Sequence, residues 1–106
     1  VRSYAAPIVL QRQEVDPAGV LRQTWSHLEG SREGRQVELD IDQPHGAVRV
    51  LADPSQLEQV FRNLLENSLD ACGTRGRIAA RFDRDPSLPG RVAIEIRDDG
   101  PGIPLE

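Results

Sequence analysis

Residues 54 to 72 are the segment that most restricts the folds open to this chain. Asp53-Pro54-Ser55-Gln56 is a helix start: aspartate as N-cap, proline at the first helical position, glutamine at N3 to complete a capping box. Behind it Leu57, Val60, Phe61, Leu64, Leu65, Ser68, Leu69 and Cys72 recur on one face. Gln59, Arg62, Asn63, Glu66, Asn67 and Asp70 fall on the other. Gly73 is placed to cap the C-terminus. A helix with one apolar stripe must bury that stripe against a second layer.

The flanking sequence supplies that layer. Gln36 to Asp42 alternates, with Val37, Leu39 and Ile41 on one face and Glu38, Asp40 and Asp42 on the other. Gln43-Pro44-His45-Gly46 is turn chemistry, and Ala47 to Leu51 reads as a second strand that pairs with the first as a hairpin. Arg77 to Phe82 and Arg91 to Arg97 alternate in the same way, joined by a polar loop over 83–90. Asp16-Pro17 opens an earlier helix carrying Val20, Leu21, Trp25 and Leu28, which Gly30 and Gly34 end. Residues 1–6 read as the last turn of a helix stopped by Pro7, and 7–15 as an extended linker. The expected fold is α+β, with helices on one face of a mixed, mostly antiparallel sheet.

Composition narrows the function classes. The 106 residues allow one domain, and with aromatics at 4% its core is aliphatic. A net charge of −4 argues against a nucleic-acid clamp. No apolar run is long enough to span a bilayer, and Val1-Arg2-Ser3-Tyr4 leads into no signal-peptide core. The single Cys72 excludes an internal disulfide and a cysteine zinc site, and fits a cytoplasmic setting. A first residue other than Met and the closing Leu105-Glu106 suggest a piece of a longer protein.

Two constellations carry chemistry. Asn63 and Asn67 stand at i and i+4, so their amides point the same way, between Glu66 and Asp70. Asparagine is a mediocre helix former, and two of them mid-helix do nothing for packing. Their oxygens can ligate a hard cation such as Mg²⁺, and their NH₂ groups can donate to phosphate. A solvated outer face accounts for the same pattern. The second constellation is Asp98-Asp99-Gly100-Pro101-Gly102 after an apolar strand. Its carboxylate can accept from an exocyclic amine, and its glycines let a flat ligand approach the backbone. Ordinary turn chemistry is the alternative here. It is neither a Walker loop nor a Gly-x-Gly-x-x-Gly opening a helix.

Taken in order, the two resemble a known family. Asp53-Pro54-x-x-Leu57-x-Gln59-Val60-x-x-Asn63-Leu64-Leu65-x-Asn67-Ser68 looks like the N box of bacterial sensor histidine kinases, and Asp98-x-Gly100-x-Gly102-Ile103-Pro104 looks like their G1 box. The resemblance implies a truncated Bergerat-type α/β sandwich that binds ATP and Mg²⁺. Residues 16–106 would be the N-terminal part of the ATP-binding domain, and 1–15 the end of a dimerisation helix and its linker. By that likeness Asn67 holds Mg²⁺ and through it the triphosphate, Asn63 lines the same site one turn earlier, and Asp98 accepts from the adenine amine. Gly100 and Gly102 would let the loop approach the nucleotide. It further implies a homodimeric parent that phosphorylates a histidine on its own dimerisation domain and passes the phosphoryl group to a response regulator, with membrane anchoring of the parent left open.

Glu66-Asn67-Ser68-Leu69-Asp70-Ala71 also looks like the motif of gyrase and mismatch-repair ATPases, which carry a glutamate general base four residues before the asparagine. Here that position is Asn63, and a neutral amide cannot take a proton from water at pH 7. Asp70 departs from the lysine common in the kinases. No phospho-accepting His box is present: His27 sits on a packing helix and His45 in a turn. The chain stops before the family's ATP lid and second glycine box, so by itself it is expected to be inactive. A non-catalytic interaction module, with the asparagine stripe merely solvated, is the reading from a different class.

Overall fold

The structure is a computed structural model and describes residues 2–5, 13–87 and 91–98. The elements run β1 (Arg2–Ala5), β2 (Gln13–Val15), α1 (Pro17–His27), α2 (Glu29–Arg32), β3 (Gln36–Asp42), β4 (Val50–Ala52), α3 (Pro54–Cys72), β5 (Arg75–Arg84) and β6 (Val92–Asp98). Four strands form one sheet in the order β1-β6-β5-β3, and β2 pairs with β4 in a separate two-stranded sheet. β5 runs antiparallel to β6 and parallel to β3, while β1 is antiparallel to β6. The α+β class and the mixed, mostly antiparallel sheet follow.

Alternation sorts each strand into two faces. Ile78, Ala80 and Phe82 of β5 and Val92, Ile94 and Ile96 of β6 are buried, beside half-buried Val37, Leu39 and Ile41 of β3. The register sets Leu39 against Ile78 and Ile94 against Phe82 on this face. Across it lies α3, whose buried Leu57, Phe61, Leu65, Leu69 and Cys72 fill the space between the layers. Phe61 meets Phe82 edge to face, centroids 6.1 Å apart and planes at 89°, the geometry the ring quadrupoles favour. α1 adds buried Ala18 and Leu21 against α3. The opposite sheet face is exposed and charged: Arg77 pairs with Glu38 at 3.4 Å and Asp40 at 3.3 Å. Such solvated pairs contribute little to stability.

Two sequence expectations are corrected. The strands over 36–42 and 47–51 do not form a hairpin: β3 pairs with β5, and β4, shifted to Val50–Ala52, pairs with β2. Alternation reveals which face of a strand is buried, not which strand lies beside it. Here Val48, Val50 and Ala52 are buried in the core, and the chain crosses through α3 before returning to the sheet. Of residues 1–6, expected as a helical turn, Arg2–Ala5 is instead a strand that completes the open edge of β6. Gln13–Val15, expected within a linker, is likewise paired, as β2. The helix expected to run to Gly30 breaks at Leu28, with α2 as a separate turn before Gly34 at φ +79°.

Candidate functional site

Two of the candidate residues, Asn63 and Asn67, sit on α3. The Asp53 carboxylate accepts from the N–H of Ser55 at 2.9 Å and so caps the first turn, with Pro54 at the first helical position. At the other end Gly73 adopts φ +70°, and its N–H donates to the Leu69 carbonyl at 3.0 Å. The last turn contains no basic residue. Arg35, just before β3, supplies the missing cation: its Nη1 donates to the same Leu69 carbonyl at 2.8 Å. The C-terminus of α3, where the macrodipole is negative, is thus tied to the start of the sheet.

Asn63 and Asn67 are exposed on the outer side of this helix, one turn apart. Asp98 is half-buried and is the last residue of β6, opposite Ile78. β5 begins at Arg75, directly after α3 ends, so Asp98, paired with Ile78, lies toward the end of the layer where α3 finishes. Gly100 and Gly102 lie outside the described residues. A shallow recess of about 350 Å³ is lined by Ser31, Arg35, Glu66, Asn67, Leu69 and Asp70. Neither Asn63 nor Asp98 lines it, so the candidate residues are not gathered in that recess. It pairs two carboxylates with one guanidinium already committed to a carbonyl, a poor place for a phosphate.

Among the described residues no cluster of three or more His, Cys, Asp or Glu side chains could hold a metal by itself. An ion at Asn67 would take one amide oxygen from this helix and its remaining ligands from phosphate and water. That suits Mg²⁺, which keeps most of its water and prefers substrate oxygens. Both histidines are accounted for structurally. His27 Nδ1 lies 2.8 Å from Glu58 and ties α1 to α3; His45 Nδ1 lies 2.9 Å from Asp83 and ties the turn before β4 to the end of β5. Partial desolvation pushes the Asp83 carboxyl upward. The Arg84 backbone N–H, the contact with His45 and the Arg81 charge outweigh it and hold the group below its ordinary value.

Two features escaped the sequence reading. Arg35 gave no local signal, because its partner is 34 residues away. Ser68 was visible as a hydroxyl within the apolar stripe. In the structure it is fully buried, and its Oγ has no hydrogen-bond partner.

A helical layer over a mixed, mostly antiparallel sheet is the architecture of a Bergerat-type domain. The catalytic domain of histidine kinase ThkA has this fold, superposing with a TM-score of 0.73 at 22% identity over 90% of this chain and 63% of that one. ThkA in complex with the response regulator protein TrrA gives a TM-score of 0.71 at 22% identity, over 88% of this chain and 27% of that one. The model of the histidine kinase-, DNA gyrase B- and HSP90-like ATPases matches residues 52–106, and the chain belongs to that family. The adaptive-response sensory kinase SasA of Parasynechococcus marenigrum (strain WH8102) is 38% identical over 94 residues, 89% of this chain and 24% of that protein. The chain thus spans about a quarter of the length of the SasA relatives it matches. No helix among the described residues is long and apolar enough to cross a membrane.

Proposed function

We propose that residues 16–106 are the N-terminal part of the ATP-binding domain of a sensor histidine kinase. The parent would bind Mg-ATP and move its γ-phosphoryl group to a histidine on its own dimerisation domain. The observation that carries this reading over an ATPase of the gyrase class is Asn63. It is exposed on α3 one turn before Asn67, where hydrolysis would need a carboxylate, and it cannot deprotonate water. Glu66 stands on a neighbouring part of the helix, toward the Arg35 recess. With water left unactivated, the phosphoryl group is kept for a protein acceptor. The similarity to SasA, a protein named as a sensory kinase, supports the same choice.

In this reading the Asp98 carboxylate accepts from the exocyclic amine of adenine, and Gly100 and Gly102 let the following loop come close to the nucleotide. Asn67 offers its amide oxygen to Mg²⁺, with Asn63 lining the site one turn earlier. When bound, the ion neutralises charge on the phosphates, and the rest of catalysis is positioning. The parent acts as a homodimer on the cytoplasmic side, where ATP is found. Its phosphohistidine serves a response regulator, as the complex of ThkA with TrrA suggests by likeness. Calorimetry with ATP and Mg²⁺ on the intact protein tests the reading. Asp98→Asn sets a donor against a donor, and a buried polar group left unsatisfied costs about 1–3 kcal/mol. Affinity should fall about tenfold to a hundredfold with the fold intact. Asn67→Ala should instead abolish the Mg²⁺-dependent part of binding. Undiminished affinity in Asp98→Asn would show that Asp98 has no part in holding adenine.

A further inference from the structure

We propose that the open edge of β3 is a docking site for an extended basic segment of a partner protein, which joins the sheet there as a further strand. That segment alternates Lys or Arg with aliphatic residues. The inference uses none of the candidate nucleotide residues and goes beyond the nucleotide-binding reading.

The sheet order β1-β6-β5-β3 leaves β3 at an edge, and among the described residues no strand pairs with its far side. Successive residues of a strand send their backbone groups to opposite sides. The Gln36 N–H donates to the Thr74 carbonyl at 2.7 Å, toward β5. Val37, Leu39 and Ile41 therefore turn their N–H and C=O groups to the open side. Exposed edges are commonly guarded by proline, a bulge, an inward-pointing charge or a very short strand. β3 has 7 residues, no proline, no inward charge and an unbroken register against β5. Its inward side chains, Val37, Leu39 and Ile41, are apolar and only half-buried, whereas Ile78, Ala80, Ile94 and Ile96 farther into the sheet are buried. A strand added beside β3 would cover that remaining apolar surface.

The outward row decides what kind of strand fits. Glu38, Asp40 and Asp42 are all exposed, and β3 contains no basic residue. Arg77 is shared between Glu38 and Asp40, at 3.4 and 3.3 Å. Arg81, opposite Asp42 in the register, reaches Asp83 at 3.9 Å instead. The acidic row thus keeps capacity for cations on its open side. A second copy of β3 would set this row against itself, and like charges directly opposite destabilise a strand pair. The edge disfavours self-pairing and accepts a basic strand, a repulsion and an attraction that together give specificity. Main-chain bonds to Val37, Leu39 and Ile41 would supply affinity, as in other strand additions.

The test uses the intact protein and short fluorescent peptides of three kinds: Lys alternating with Val, Glu alternating with Val, and Lys alternating with Pro. Anisotropy at low salt gives affinity, and amide exchange gives location. In the free protein the amides of Val37, Leu39 and Ile41 should exchange faster than those of Glu38 and Asp40, which face β5. The Lys-Val peptide should bind and slow the first three. The other two should bind about tenfold more weakly or not at all, one for its charge and one because proline cannot donate to a ladder. Asp40→Asn combined with Asp42→Asn should weaken the Lys-Val peptide about three- to tenfold with the fold intact. Equal binding of the Lys-Pro peptide would reduce the effect to diffuse charge and overturn the proposal. So would unchanged affinity in the double variant, or no binding of the Lys-Val peptide. Protection of the three amides before any peptide is added would also overturn it, because a second copy or another part of the protein would then already cover the edge.

Discussion

Replacing Arg35 by alanine tests how the site helix is held in place. Its Nη1 donates to the Leu69 carbonyl at 2.8 Å, and the last turn of α3 contains no cation of its own. A hydrogen bond from a charged donor contributes about 1.5–3 kcal/mol where water is excluded. A cation at a helix C-terminus adds about 0.3–1 kcal/mol. Arg35 is only half-buried, so after truncation water reaches the carbonyl and recovers part of this. The Gly73 N–H also stays on the same oxygen. The expected net loss is about 1–2 kcal/mol, or roughly 5–15 °C in melting temperature for a domain of this size. Arg35→Lys keeps the charge but not the planar fork, and should lose about half as much. Urea unfolding gives the magnitude, and amide exchange gives the location. Protection should fall at Leu69–Gly73 well before it falls at Leu57–Phe61. A variant within about 0.3 kcal/mol of the parent would refute the cap. A uniform loss of protection along α3 would show that Arg35 acts on the whole fold rather than on the end of the helix.

α3 was legible in the sequence because its information is local. A capping aspartate, a proline at the first position, a stripe at helical spacing and a closing glycine all lie within the segment they specify. The Asp53 cap formed, onto the Ser55 N–H. Each long strand was legible for the same reason, since alternation is written in the strand itself. What was not legible is pairing. Val37, Leu39 and Ile41 specify a buried face, but equally well a hairpin with 47–51 or a parallel ladder with β5. The choice is made by the crossover. α3 can cover the sheet only if the chain leaves β3, passes through the helix and returns beside β3 as β5, and a hairpin would have kept the next strand at the sheet edge. The same limit hid β1. Four residues have no periodicity to display, and their strand exists because β6 offers an unpaired edge. At the site, the asparagine pair and Asp98 could be picked out by chemistry, while the partners of Arg35 and the solitude of the Ser68 hydroxyl depend on distant packing.

The remaining predictions concern the core and the acid limb of stability. Phe61→Ala removes a fully buried ring that meets Phe82 edge to face. It should cost about 3–5 kcal/mol in urea unfolding, and a loss under about 1.5 kcal/mol would mean that the ring is not packed between α3 and β5. Asp83 supplies a pH signature. Its carboxyl is held below the ordinary value of 3.8 by the Arg84 N–H, His45 and Arg81 acting against desolvation. A group whose pKa is lower folded than unfolded binds fewer protons when folded, so the unfolded state gains as pH falls. The contribution of Asp83 is therefore complete above pH 3.8 and disappears as pH drops through the lower, folded value. Asp83→Asn should lower the melting temperature at neutral pH and flatten the acid limb, so that the two proteins converge at the acid end. His45→Ala should act in the same direction and by less, because it removes one of the three groups that hold the carboxylate. Parallel melting curves for Asp83→Asn and its parent from neutral pH down to pH 2–3 would show that the His45 contact at 2.9 Å does not couple the turn before β4 to β5.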